Sequence, residues 1–154
     1  MSTEEFIPFG EPVADLNPDR LVQDGAKKIL SACRASKDFE VVELRRLNLN
    51  DGSIAEIIVV DCINDQVPTR NQFGIKVRER LALVFSADQT KVPEVRALRK
   101  DFPAPPHLNG ATIGQPASLC LYSEPWSVIE RTWTPQKHLQ RILWWLSETA
   151  RNGT

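Results

Sequence analysis

Cysteine and histidine are scarce in this chain, and their placement excludes several chemistries at once. The three cysteines, Cys33, Cys62 and Cys120, lie far apart with no CxxC pair, and neither histidine, His107 or His138, stands at metal-ligand spacing from them. Neither a zinc site nor a disulfide framework is indicated. A zinc-dependent base deaminase is excluded, because the chain holds no HxE and no PCxxC, and glycine-rich phosphate loops are missing as well. No cofactor is implied. There is no signal-peptide pattern and no apolar run long enough to span a bilayer, so a reducing cytoplasmic setting with free thiols is expected. A surplus of one charge is also lacking. With 25% charged residues and a formal charge of −1, nothing draws the whole chain to nucleic acid or to an anionic membrane.

Proline, in contrast, is plentiful. Of eleven in the chain, six (Pro103, Pro105, Pro106, Pro116, Pro125 and Pro135) fall between positions 103 and 135, which makes that region punctuated and stiff. The 154 residues fit one domain with a real core. Residues 1–16 carry acidic residues and prolines without a period and read as a loosely attached N-terminal arm. Residues 17–154 form the domain, whose end is compatible with a small complete protein or with a fragment of a longer one.

Asn17-Pro18-Asp19 carries the signs of a helix start: an N-cap, a proline at the first helical position and an acid in the first turn. Leu21, Val22, Ala26, Ile29, Leu30 and Cys33 then recur at helical spacing toward an end near Ser36, with Gly25 on the same face leaving room for a neighbouring backbone. Strands follow at 39–49, 54–63, 80–85 and 92–98. The turn at Asn50-Asp51-Gly52 joins the first two, the run IAEIIVVDCI reads as a central strand covered on both faces, and Pro93 marks the last as an edge. Cys33 and Cys62 sit on apolar faces and read as packing residues. Thr134 and Pro135 open a final helix with Leu139, Ile142, Leu143 and Leu146 as its buried stripe and Asn152-Gly153 as its stop. Adjacent Trp144 and Trp145 point about 100° apart, so they cannot both lie at the stripe's centre. The expected architecture is α+β: an N-terminal helix, an antiparallel four-stranded meander, a long irregular loop and a C-terminal helix.

Cys120 is the residue that raises a chemical question. It sits between Leu119 and Leu121, after a Gly/Pro/Ser segment and before Tyr122-Ser123-Glu124-Pro125-Trp126. From spacing alone two readings stand. It is either a packed structural thiol or a reactive one on a long loop, with His107 and Asn109 upstream able to polarise an acyl oxygen. A cysteine hydrolase would require His107 or His138 within reach of the sulfur.

The order helix, strand meander, proline-rich loop with a histidine and an asparagine, Leu-Cys-Leu, Trp-x-Pro and amphipathic helix resembles the ubiquitin-conjugating enzymes. It looks most like their divergent bacterial branch associated with ThiF-type activating enzymes in ubiquitin-like conjugation and anti-phage operons. The similarity spans roughly residues 18–150. The family's His-Pro-Asn is matched by His107-Leu108-Asn109, with leucine in place of the proline. Leu119-Cys120-Leu121 matches its cysteine motif and Trp133-Thr134-Pro135 its Trp-x-Pro.

The resemblance implies a UBC-like fold and an acyltransferase in which Cys120 carries a ubiquitin-like protein as a thioester. Asn109 would be the oxyanion-stabilising amide, and His107 would shape the loop. Tyr122, Trp126 and Trp133 would line the substrate site, with Glu124 or Asp101 available to deprotonate an incoming amine. Its implied partners are a ubiquitin-like modifier, a ThiF-type activating enzyme or domain, and a protein target with an acceptor amine. A non-catalytic module of the same fold, binding a ubiquitin-like tail, is the alternative.

Overall fold

The strand Ile54–Ile63 (β3) is buried along nearly its whole length, and the two faces of its alternating side chains belong to two different cores. Ile58, Val60 and Cys62 point toward the helices, while Ala55, Ile57 and Val59 point to the opposite side of the sheet. The computed structural model of the chain describes residues 5–13, 17, 20–87, 91–103, 108–109 and 116–152, with the backbone alone at 108–109. Around β3 the sheet is assembled from β1 (Glu11–Pro12), β2 (Phe39–Asn48), β4 (Arg78–Phe85), β5 (Glu94–Ala97), β6 (Leu108–Asn109) and β7 (Ala117–Leu119). Its order is β1-β2-β3-β4-β5-β7-β6, every pairing antiparallel. Among the described residues, three helices, α1 (Asp24–Ala35), α2 (Trp126–Ile129) and α3 (Pro135–Asn152), complete an α+β arrangement.

The four strands expected from the sequence are β2 to β5, joined in sequence as a meander. The sheet is larger than four because short segments extend it at both sides. That changes one reading: β5 is not an edge. It pairs with β4 on one side and β7 on the other, and Pro93 lies just before the strand, where its missing N–H costs no ladder bond. Strand β2 departs from strict alternation in sequence because a register shift between Val41 and Glu43 changes its parity. Phe39, Val41 and Leu44 thereby all reach the helix-side core.

The first helix starts later than its sequence signals suggest. Of the expected cap, Pro18 and Asp19 lie outside the described residues, and Asn17 closes a turn, its carbonyl accepting from Arg20 N at 2.9 Å. The buried carboxylate of Glu56, on the helix-facing side of β3, accepts from Val22 N at 2.8 Å and from Gln23 N at 2.5 Å. These bonds hold Gln23 extended, and α1 begins at Asp24. Val22 is consequently turned to solvent rather than into the stripe, whereas Ala26, Ile29, Leu30 and Cys33 pack as the spacing predicts. What approaches Gly25 is a side chain and not a backbone: a Cβ there would lie 2.9 Å from the Phe85 ring.

The N-terminal segment also differs from a loose arm over its described part. Ile7 N donates to Leu98 O at 2.8 Å, Lys100 N donates to Glu5 O at 3.0 Å, and β1 pairs with Arg45 and Arg46 of β2. Phe9 is buried against Ile57, Val59, Ala82 and Val84, and the Arg80 guanidinium lies 4.2 Å over the Phe6 ring. The sheet's outer face is apolar at these positions, and this segment is its cover.

Helix α3 follows the sequence closely. Thr134 Oγ1 accepts from Lys137 N at 3.1 Å and Pro135 is the first helical residue. Leu139, Ile142, Trp145 and Leu146 are buried, and Trp145 stacks on Phe102 with ring centroids 6.4 Å apart. Trp144 is 48% exposed, so the tandem tryptophans divide between core and surface. Gly153 of the expected stop lies outside the described residues.

Candidate functional site

Strand β7 delivers Cys120 to the surface. Leu119 and Leu121 are buried in the helix-side core, and alternation turns the residue between them outward, leaving Cys120 as the exposed member of the three cysteines. Cys33 and Cys62 are buried, as their positions on apolar faces predict; burial pushes the Cys33 thiol up to about 12 and raises that of Cys62 as well.

Cys120 lines a cleft of about 160 Å³ together with Val92, Pro93, Tyr122, Glu124 and Trp126. A second groove of about 310 Å³, lined by Lys28, Lys91, Trp126, Glu130 and Trp133, shares Pro93 and Trp126 with it. Trp126 therefore stands at the partition between the two. It opens α2 after Pro125, whose carbonyl accepts from Val128 N at 3.0 Å, and it meets Trp133 edge-on at 6.0 Å.

Behind the cleft lies a polar knot that the sequence did not single out. Tyr122 hydroxyl is 2.8 Å from His138 Nδ1, and Trp133 Nε1 donates to the same nitrogen at 3.3 Å. Indole N–H is a donor only, so Nδ1 must be an acceptor and the imidazole proton sits on Nε2, an assignment made from the hydrogen-bond network. His138 is fully buried, and that burial pushes its pKa down to about 4. Among the described residues, Nε2 has no hydrogen-bond partner. With Nδ1 committed to Tyr122 and Trp133, His138 does not hydrogen-bond the Cys120 sulfur and is not the base of a cysteine hydrolase. His138 lies four residues before Ile142 on the buried face of α3, and that spacing was the available sign of its burial.

The other expected site residues are distributed unevenly. His107 lies outside the described residues. Asn109 is described in its backbone, where β6 pairs with β7 through Leu108 opposite Leu119 and Asn109 opposite Ser118. Glu124 reaches the cleft beside Cys120. Asp101 does not line it: its carboxylate accepts from Arg99 Nη1 at 3.0 Å, and that guanidinium holds it below the usual carboxylate range. Among the described residues, no three His, Cys, Asp or Glu side chains are placed to hold a metal ion, and no helix is long and apolar enough to cross a membrane.

Neither a curated protein nor a solved structure matches the chain. A family model does: that of Prokaryotic E2 family A aligns with residues 26–153, a span that takes in β2 to β7, nearly all of α1, both later helices and Cys120. This is the bacterial E2 branch that the Leu-Cys-Leu and Trp-x-Pro motifs resemble, and the match covers most of the sequence. The chain belongs to prokaryotic E2 family A.

Proposed function

We propose that the chain is an acyl carrier and transferase for a ubiquitin-like protein, with Cys120 as the thioester-forming residue. The observation that carries this reading is the exposure of Cys120 on an aromatic cleft, in a family member whose other two thiols are buried. In the first step the Cys120 thiolate attacks the carbonyl of the modifier's C-terminal residue, held as a thioester by a ThiF-type activating enzyme. A carbon–sulfur bond forms to Cys120, the bond to the activating cysteine breaks, and the departing thiolate takes up the proton that Cys120 released. In the second step an amine of the protein target attacks the same carbon. A carbon–nitrogen bond forms, the Cys120 thiolate leaves, and the amine proton passes to a base, for which Glu124 in the cleft is the candidate.

Thiolate is a good leaving group, so the steps depend on position and oxyanion stabilisation more than on a strong base, which suits a cysteine whose buried neighbour His138 is engaged elsewhere. Asn109 is the candidate oxyanion donor. The pairing of its strand with β7 brings it to the strand that ends one residue before Cys120. His107, two residues earlier, is read as shaping the loop, and Tyr122, Trp126 and Trp133 as lining the path of the incoming tail. The resemblance to operon-encoded bacterial relatives supports a place in a conjugation system of the anti-phage kind.

The test is adduct chemistry with the matched activating enzyme and modifier. Wild type is expected to give an adduct released by excess thiol, and Cys120→Ser an oxyester that survives excess thiol but is cleaved by mild alkali. Absence of any thiol-sensitive adduct on wild type overturns the enzymatic reading and leaves a module that binds without chemistry.

A further inference from the structure

Cys120 is anchored on both sides, and the downstream anchor is supplied by α3. Upstream, β7 ends at Leu119, inside the sheet. Downstream the ladder has stopped, yet Leu121 O accepts a 2.6 Å hydrogen bond from Arg141 Nε. The Arg141 guanidinium lies 4.3 Å from the Trp144 ring centroid and 5.8 Å from that of Tyr122, so two aromatic faces hold it over the loop. One turn earlier on the same helix, His138 engages the Tyr122 hydroxyl. Residues three apart share a helix face, so Arg141 and His138 grip the two residues that directly follow the sulfur-bearing one.

We propose that Arg141 is a positioning residue for Cys120. It fixes the backbone after the sulfur so that the thiol meets an incoming acyl carbon in one orientation. The inference rests on the thioester reading above and extends it by naming what sets the geometry. Arginine suits the task because its planar fork is rigid, stacks on rings and still directs an N–H along a defined line. The cost of losing it follows from the sensitivity of acyl transfer to alignment, where a displacement of about 1 Å costs roughly 100-fold.

The experiment uses the intact chain with its matched activating enzyme and modifier, comparing Arg141→Ala, Arg141→Gln and Arg141→Lys with wild type. Thioester formation is followed as a function of activating-enzyme concentration, and amide hydrogen exchange is followed at residues 121–123. Arg141→Ala is expected to lower the maximal rate tenfold or more with the half-saturating concentration unchanged, and to speed exchange at those amides. Gln and Lys, each able to donate to Leu121 O but without the stacked fork, are expected to restore part of the rate.

A wild-type maximal rate in Arg141→Ala overturns the proposal, as does a loss confined to half-saturation, which would make Arg141 a docking contact. Equal losses in all three variants overturn it too. Should Arg141→Ala fail to fold, Gln and Lys still decide, because a loss as deep as tenfold in both contradicts the donor role. If wild type forms no adduct at all, the thioester reading falls by itself; hydrogen exchange then judges the anchor, and unchanged protection in the variants overturns it.

Discussion

Acid should destabilise this protein through His138 over a defined pH window. The folded imidazole titrates near 4 against an ordinary value of 6.5, so between those values the unfolded chain binds more protons than the folded one. Stability is therefore complete above pH 6.5 and is lost progressively as pH falls toward 4. The whole shift corresponds to roughly 3 kcal/mol, of which about 2 kcal/mol is expressed at pH 5. The structural cause is burial, which disfavours the charged ring; a protonated Nδ1 would in addition face Trp133 Nε1, which can only donate.

The assay is urea unfolding at pH 7.5 and pH 5 of wild type and His138→Asn. Asparagine offers an acceptor oxygen near the Nδ1 position and does not titrate; His107 is present in both proteins and cancels. Wild type should lose about 2 kcal/mol more than the variant between the two pH values. Equal losses would refute the assignment of a buried neutral imidazole. Because Tyr122 and Trp133 share that nitrogen, the same acid range should loosen the segment after Cys120 before global unfolding.

The tandem tryptophans should separate sharply in the same denaturation assay. Trp145→Ala is expected to cost about 3–5 kcal/mol, since the side chain is fully buried and stacked on Phe102. Trp144→Ala should cost under about 1 kcal/mol, its main contact being the Arg141 guanidinium. Thiol labelling of the native chain with iodoacetamide should stop at one equivalent on Cys120, with Cys33 and Cys62 reacting only after denaturant is added. Mass spectrometry showing Cys33 or Cys62 alkylated at a comparable rate would contradict the burial assigned to them.

What the residues alone disclosed was largely what local physics decides. The strand at 54–63 and the start of α3 at Pro135 match to the residue, because continuous apolar β-branched sequence and a Thr-Pro cap act through near neighbours. The first helix starts several residues after its Asn-Pro-Asp signal, because Glu56, more than thirty residues downstream, takes the Val22 and Gln23 amides. Strands of two or three residues, β1, β6 and β7, carry no period to read, and their pairing made an expected edge strand internal. At the site, the Leu-Cys-Leu alternation contained the outward turn of Cys120. Its anchors, Arg141 to a backbone carbonyl and His138 to a tyrosine hydroxyl, are long-range contacts with no local signature.

The family match begins at residue 26, but what the sheet needs begins earlier. Residues 5–13 shield Ile57, Val59, Ala82 and Val84, and Leu21 fills the helix-side core ahead of α1. A version cut at the alignment boundary would strip the buried Glu56 side chain of the two amides that donate to it, on a sheet whose far side is bare aliphatic surface. Such a trimmed chain should be sticky and prone to self-association, and anyone dissecting this molecule into a minimal unit should retain its opening residues as part of the working whole.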